Sequence, residues 1–243
     1  MKNHYDKTIG YSPLEDVDEK KMLQVIKVNK RIIDDHYPSQ PGDRILVAGA
    51  GNGLEAVLIA GEWKLPTFGV DLNINRIELA RVDAQIVLQC QNITRLAFIN
   101  DVFSIIYCYH VLEHVEDPAE VIEELQRVLK PGGVLFIGFP NKNRLFSYVG
   151  SSQKVSLFEK VRWNFQDYLH RLKGRFENRL GAHAGFADRE FLLIATPIFS
   201  SVKLVRRDYM MYKYERYEGL MKTLARLGLG EFLFPSNYYI CAK

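Results

Sequence analysis

The chain has 243 residues, 47% hydrophobic and 25% charged, enough apolar material for a buried core and too much for a disordered tail or a disulfide-stapled miniprotein. Lys and Arg number 32 against 29 Asp and Glu, and a net charge of +3 does not by itself point to nucleic acid. Cys90, Cys108 and Cys241 have no zinc-type spacing, no apolar run reaches the roughly 18–20 residues that span a bilayer, and the first residues lack an apolar leader, so the expectation is one cytoplasmic domain over 1–243.

The first predicted element is a helix over 12–37. Ser12 with Glu15 three residues on forms a capping box, Pro13 suits the first helical position, and apolar residues recur at helical spacing until Pro38. From Arg44 short apolar runs alternate with amphipathic stretches: RILVAG, LEAVLIAGEW, TFGVD, INRIELARVDA, IVLQC and VFSIIYCY. DPAEVIEELQRVLK then reads as a helix stopped by Pro131, Gly132 and Gly133, and VLFIGF as the fifth strand. Such alternation predicts a doubly wound, mostly parallel α/β sheet with crossover helices. After residue 182, FADREFLLIAT and YERYEGLMKTLARLG read as helices, and SSVKLVRR and SNYYICAK as strands, which brings the sheet to seven.

Between these parts lies an insertion, 142–182, with nine basic and three acidic residues, a local charge of +6, interleaved with seven of the chain's aromatic side chains. It reads as a solvated face, as a lid over an anionic ligand, or as a surface for RNA or membrane.

The sharpest feature is Gly49-Ala50-Gly51-Asn52-Gly53 between a buried strand and an amphipathic helix, followed by Asp71 at the end of the next strand. Glycines permit a tight turn and close ligand approach, and an acid at that strand end can accept hydrogen bonds from ribose hydroxyls. Leu54 stands where a dinucleotide fingerprint needs a small residue, and no Gly-Lys-Ser/Thr follows, so neither a pyrophosphate cradle nor a Walker loop is indicated.

Over about residues 40–141 these motifs, with YHVLEHVEDP and LKPGG, resemble the class I S-adenosylmethionine-dependent methyltransferases. The resemblance implies a Rossmann-like methyltransferase fold, S-adenosylmethionine as cofactor, S-adenosylhomocysteine as product and a small-molecule acceptor. By position it implies that Gly49, Ala50, Gly51 and Gly53 border the cofactor, Asp71 binds its ribose, Leu72 packs on adenine, and Asn92 and Ile93 meet the adenine edge. Tyr109 joins the cofactor contacts, and His110 is the first candidate base, with His183 the second. Asn141 and Arg144 open the insertion and are its candidate substrate contacts.

The family often has an acid two residues before the first glycine, where this chain has Val47, so another group must face the cofactor's ammonium. His110, Glu113 and His114 also admit a metal reading, against which stands a structural one in which Glu113 and His114 pin the next helix; no metal is expected. The favoured acceptors are an oxygen of a sugar or of a quinone-like phenol. RNA methylation and a non-catalytic cofactor-binding role are the alternatives, and the lack of an Asp/Asn-Pro-Pro-Tyr/Phe motif argues against DNA.

Overall fold

Strand and helix alternate from residue 45 onward in the computed structural model, which describes residues 18–72, 85–145, 156–173 and 185–243. The strands are β1 (Ile45–Ala48), β2 (Thr67–Asp71), β3 (Ile86–Cys90), β4 (Phe103–Tyr109), β5 (Leu129–Pro140), β6 (Ser201–Leu204) and β7 (Ser236–Ala242). The helices are α1 (Glu19–Asp34), α2 (Leu54–Trp63), α3 (Pro118–Val128), α4 (Leu157–Leu172), α5 (Asp188–Ala195), α6 (Arg206–Lys213), α7 (Glu218–Arg226) and α8 (Gly230–Leu233).

The seven strands run in the order β3-β2-β1-β4-β5-β7-β6. β1 to β5 pair in parallel, while β7 is antiparallel to both β5 and β6. Because the chain leaves β1 toward β2 and returns to β4 on the other side, the strand order reverses at β1. Ligands of such sheets bind outside the carboxyl ends of the strands at that switch point.

Side-chain alternation divides the core into two layers. Leu46, Ala48, Ile106, Cys108, Tyr239 and Cys241 face α3 and α5. Ile45, Val47, Ile105, Tyr107, Tyr238 and Ile240 face α1, α2 and α6. Both faces are covered, so these strands read as near-continuous apolar runs.

At the opposite, amino-terminal edge Asp43, 4% exposed, ties the turn before β1 to β4 and β5: it accepts from Ser104 Oγ at 2.6 Å, Lys130 Nζ at 2.7 Å and the Gln40 N–H at 2.8 Å.

Several boundaries differ from the sequence reading. α1 starts at Glu19, capped by the Asp18 side chain, which accepts from the Lys21 N–H at 3.2 Å; the capping box at Ser12 lies outside the described residues, as does the stretch 73–84 read as a crossover helix. α3, capped by Asp117, ends at Val128, so Leu129 and Lys130 belong to β5: Val102 N–H bonds to Val128 O and Leu129 pairs with Phe103. β6 stops at Leu204 and Val205–Arg207 leave the strand, because α6 starts at Arg206 and lays Tyr209 against Tyr238, ring centroids 3.9 Å apart. Among the described residues no helix is long and apolar enough to cross a membrane.

Candidate functional site

β1 ends in a loop whose three glycines all have left-handed backbones: Gly49 at φ +76°, Gly51 at +54° and Gly53 at +83°. An L side chain resists that region, so the repeated glycine is a conformational requirement. Gly49 carries a second constraint, since an added Cβ would lie 2.2 Å from Val111 Cγ2. The N–H groups of Gly49 and Ala50 donate to Val70 O at 2.8 and 2.9 Å, and the Gly51 N–H donates to Asp71 Oδ2 at 2.9 Å. The loop is thus tied to the end of β2, and Asp71, 9% exposed, is fixed at the switch point.

Around it lie the remaining candidates for a nucleoside. Leu72, 39% exposed, offers an apolar surface just past Asp71. Asn92 is exposed and its Oδ1 already accepts the Thr94 N–H at 3.0 Å, leaving one lone pair of that carbonyl for a ligand. The Ile93 side chain is buried in the core, so what this residue can offer is its backbone.

At the end of β4, Tyr109 is built into an aromatic layer: its ring stacks with Tyr238 at 6.2 Å and meets His110 edge-on at 4.3 Å. Gly138 permits this, since a Cβ there would lie 2.7 Å from Tyr109 Cδ2. Burial pushes the Tyr109 phenol well above its ordinary range. His110 has φ +55°, a conformation that costs a non-glycine residue energy and clusters at functional sites. Its N–H donates to Gly138 O at 2.7 Å and its Nδ1 lies 3.1 Å from Glu113 Oε1.

Glu113 is 1% exposed. Burial pushes its carboxyl up, but the His110 hydrogen bond and the two neighbouring imidazoles outweigh that and hold it below the usual range. An ionised carboxylate can only accept, so His110 Nδ1 carries the proton of this bond, which in the neutral tautomer leaves a lone pair on Nε2. Glu113 therefore orients His110 and does not cap the next helix, a task Asp117 performs. His114 Nε2 is 4.0 Å from the same Glu113 oxygen, and burial lowers the pKa of His114. Among the described residues no group of three His, Cys, Asp or Glu side chains is arranged to hold a metal ion.

The two candidates at the head of the insertion take up structural positions. Asn141 is fully buried; its Nδ2 donates to Glu231 O and, at 3.1 Å, to Phe234 O, while its Oδ1 accepts the Asn143 N–H. Arg144 is 3% exposed and donates to Asn141 O at 3.0 Å. Asn141 fastens the departing chain to the loop before β7, Arg144 bonds to the backbone of Asn141, and both side chains are buried. His183 lies outside the described residues. Of the insertion's cations, Lys142 pairs with Glu190, while Arg162 and Lys173 are exposed.

One residue was passed over. Glu55, in the first turn of α2, is partly exposed, and burial of its carboxyl beside Tyr107 pushes it up to about 7. The signal for it was present: Glu55, Ile59 and Trp63 share one face at spacings of four, and Ile59 and Trp63 are core.

Residues 46–137, from β1 through most of β5, match the family described as Methyltransferase domain. A ubiquinone biosynthesis O-methyltransferase of Coxiella burnetii is 33% identical over 137 residues, 53% of this chain and 58% of that protein. Its namesake in Pseudomonas fluorescens is 25% identical over 174 residues, 68% of this chain and 71% of that protein. The chain thus spans less than two thirds of the first of these relatives. Phosphoethanolamine N-methyltransferase 2 of Haemonchus contortus, solved with S-adenosyl-L-methionine, superposes on 93% of this chain and 57% of its own at a TM-score of 0.57 and 17% identity. A geranyl diphosphate methyltransferase solved with S-adenosylmethionine covers 89% of this chain and 83% of its own at 0.53 and 16%. The chain therefore has the Rossmann-like fold of these structures, with the glycine loop, Asp71 and His110 on the carboxyl edge of its sheet.

Proposed function

We propose that the chain is an S-adenosylmethionine-dependent O-methyltransferase acting on a small molecule, with a quinone-like phenol as acceptor. The observation that carries this reading is the Gly51–Asp71 hydrogen bond at 2.9 Å, which couples a left-handed glycine loop to an acid placed for a ribose diol. The names of the Coxiella and Pseudomonas relatives support oxygen as the accepting atom and a quinone precursor as its source.

When bound, S-adenosylmethionine supplies an electrophilic methyl group. The chain's own task is to align the acceptor oxygen and exclude water, because positioning is the largest lever in an in-line displacement. A phenol or alcohol must also lose its proton. His110 Nε2 is the group to take it, with Glu113 holding the ring through Nδ1. His183 stays a second candidate for that role. Arg162 and Lys173 favour an acceptor that carries negative charge, and free thiols at Cys90, Cys108 and Cys241 suit a reducing, cytoplasmic setting.

The test is transfer of labelled methyl from S-adenosylmethionine to catechol-type phenols, monosaccharides and RNA in parallel. Label in the phenols supports the reading, and label in sugars or RNA instead replaces it. Cofactor binding without transfer to any fraction of a cell extract would favour a non-catalytic role.

A further inference from the structure

α4 turns an apolar face outward. Phe158, Val161, Phe165, Tyr168 and Leu169 follow one another at helical spacings, so they line one side of the helix. All five are exposed, Phe158 to 78% and Phe165 to 64%, where a helix of a globular protein ordinarily buries such a face. The margin of the face is basic. Arg162, one turn after Phe158, and Lys173, one turn after Leu169, are exposed, and the Lys173 N–H bonds to Leu169 O at 3.1 Å, which carries the helical turn past Leu172. The segment 142–182 around them has a charge of +6 by sequence.

The apolar surface does not end with α4. The Tyr168 hydroxyl donates to Leu145 O at 3.1 Å, and the Leu145 N–H donates to Phe232 O at 2.6 Å, which sets α4 beside α8. Leu145, Leu227, Leu229 and Phe232 are exposed as well. Glu231, next to Phe232, is engaged by Asn143 Nδ2 at 2.7 Å. Asn141, just past β5, holds Phe234 O at 3.1 Å, so this surface borders the carboxyl edge of the sheet, where the glycine loop and His110 lie.

We propose that α4, Leu145 and α8 form a docking face for an anionic lipid bilayer, with Phe158, Val161 and Phe165 in the acyl boundary and Arg162 and Lys173 on head-group phosphates. Charge and chemistry select this occupant. An apolar helix face with cations at its margin matches the bilayer interface, where apolar side chains enter the hydrocarbon and long basic ones reach back to the phosphates. A second copy of the chain would bring the same positive segment against itself. RNA would meet the cations but has no counterpart for Val161, Leu169 and Leu227. Docking turns the carboxyl edge of the sheet toward the membrane, whichever acceptor is methylated.

The test is flotation of the purified chain with two kinds of vesicle, phosphatidylcholine alone and phosphatidylcholine mixed with phosphatidylglycerol. The wild type is expected to float with the anionic vesicles and to be released as salt is raised, a readout that needs no variant. Phe158→Ser with Phe165→Ser is expected to weaken partitioning by roughly tenfold or more. Arg162→Glu with Lys173→Glu is expected to weaken it about tenfold on the anionic vesicles and to leave the neutral ones unchanged. Ile99→Ser, an equally exposed apolar position in the loop before β4, is expected to float like the wild type. All these side chains are exposed, so thermal unfolding of each variant is expected to match the wild type. No flotation of the wild type, flotation indifferent to lipid charge and salt, or equal flotation of the phenylalanine variant overturns the proposal. Self-association that the phenylalanine variant abolishes, without flotation, would give the face to a second copy instead. Salt-steep RNA binding without flotation would give it to nucleic acid.

Discussion

The Gly51 N–H donates to Asp71 Oδ2 at 2.9 Å, so one carboxylate both shapes the glycine loop and faces the place where a ribose would lie. Asp71→Ala removes both roles, and affinity for S-adenosylhomocysteine is expected to fall roughly ten- to hundredfold, the range for a hydrogen bond to a charged group. Asp71→Asn keeps an oxygen for the Gly51 N–H and is expected to lose less. Calorimetric titration of both variants checks the order; equal losses would mean that the carboxylate facing the ligand, and not loop shape, is what Asp71 supplies.

For His110, the informative variant is Asn, which adopts the left-handed backbone of this position at lower cost than Ala. His110→Asn is expected to reduce turnover by about 10²–10⁴ and leave cofactor affinity unchanged. Glu113→Gln is expected to lower kcat less. The double variant is expected to be no slower than His110→Asn alone, because Glu113 acts through His110. Additive losses would show that Glu113 does something separate.

Gly49→Ala tests the loop from the other side. Its φ of +76° costs an L residue about 1–2 kcal/mol, and the overlap with Val111 adds about 1–3 kcal/mol. Adding Val111→Ala is expected to recover the second part of the lost stability and not the first. Denaturant unfolding of Gly49→Ala, Val111→Ala and the double variant separates the two.

Asp43 sets the acid stability of the fold. Burial would raise its carboxyl, but Lys130 Nζ, Ser104 Oγ, the Gln40 N–H and the Tyr37 hydroxyl outweigh that and bring it down to about 2 from 3.8. A lowered folded value means that the stabilisation is fully present above the unfolded value and is lost as pH falls from about 4 toward 2. Asp43→Asn is therefore expected to cost about 2 kcal/mol at pH 7 and progressively less below pH 4. Urea unfolding across that range checks the sign, and a constant difference would exclude the linkage.

The fold was legible because each strand from β1 to β5 is a short apolar run between turn residues, and because Gly49, Gly51, Gly53 and Asp71 punctuate it in a recognisable rhythm. What was not legible depended on contacts distant in sequence. α6 was hidden in DYMMYK because its helicity comes from laying Tyr209 against Tyr238, 29 positions later, and not from an obvious cap. Asn141 and Arg144 were read as displayed because an insertion begins there, and only the chain returning at Phe186 and Glu231 shows why Asn141 is buried.

The sheet order also governs how the protein is built. β7 lies between β5 and β6 although it comes after both in the chain, and Tyr239 and Cys241 are fully buried there. β6 therefore has no edge to pair with until the last strand has reached its slot against β5. The slowest contacts to form are those that finish the sheet, since pairings far apart in sequence close last. A ribosome-bound chain that has released only β1 to β6 carries an open β5 edge, the kind of surface that invites wrong pairing. Nascent chains truncated before Ser236 should therefore depend most heavily on chaperones.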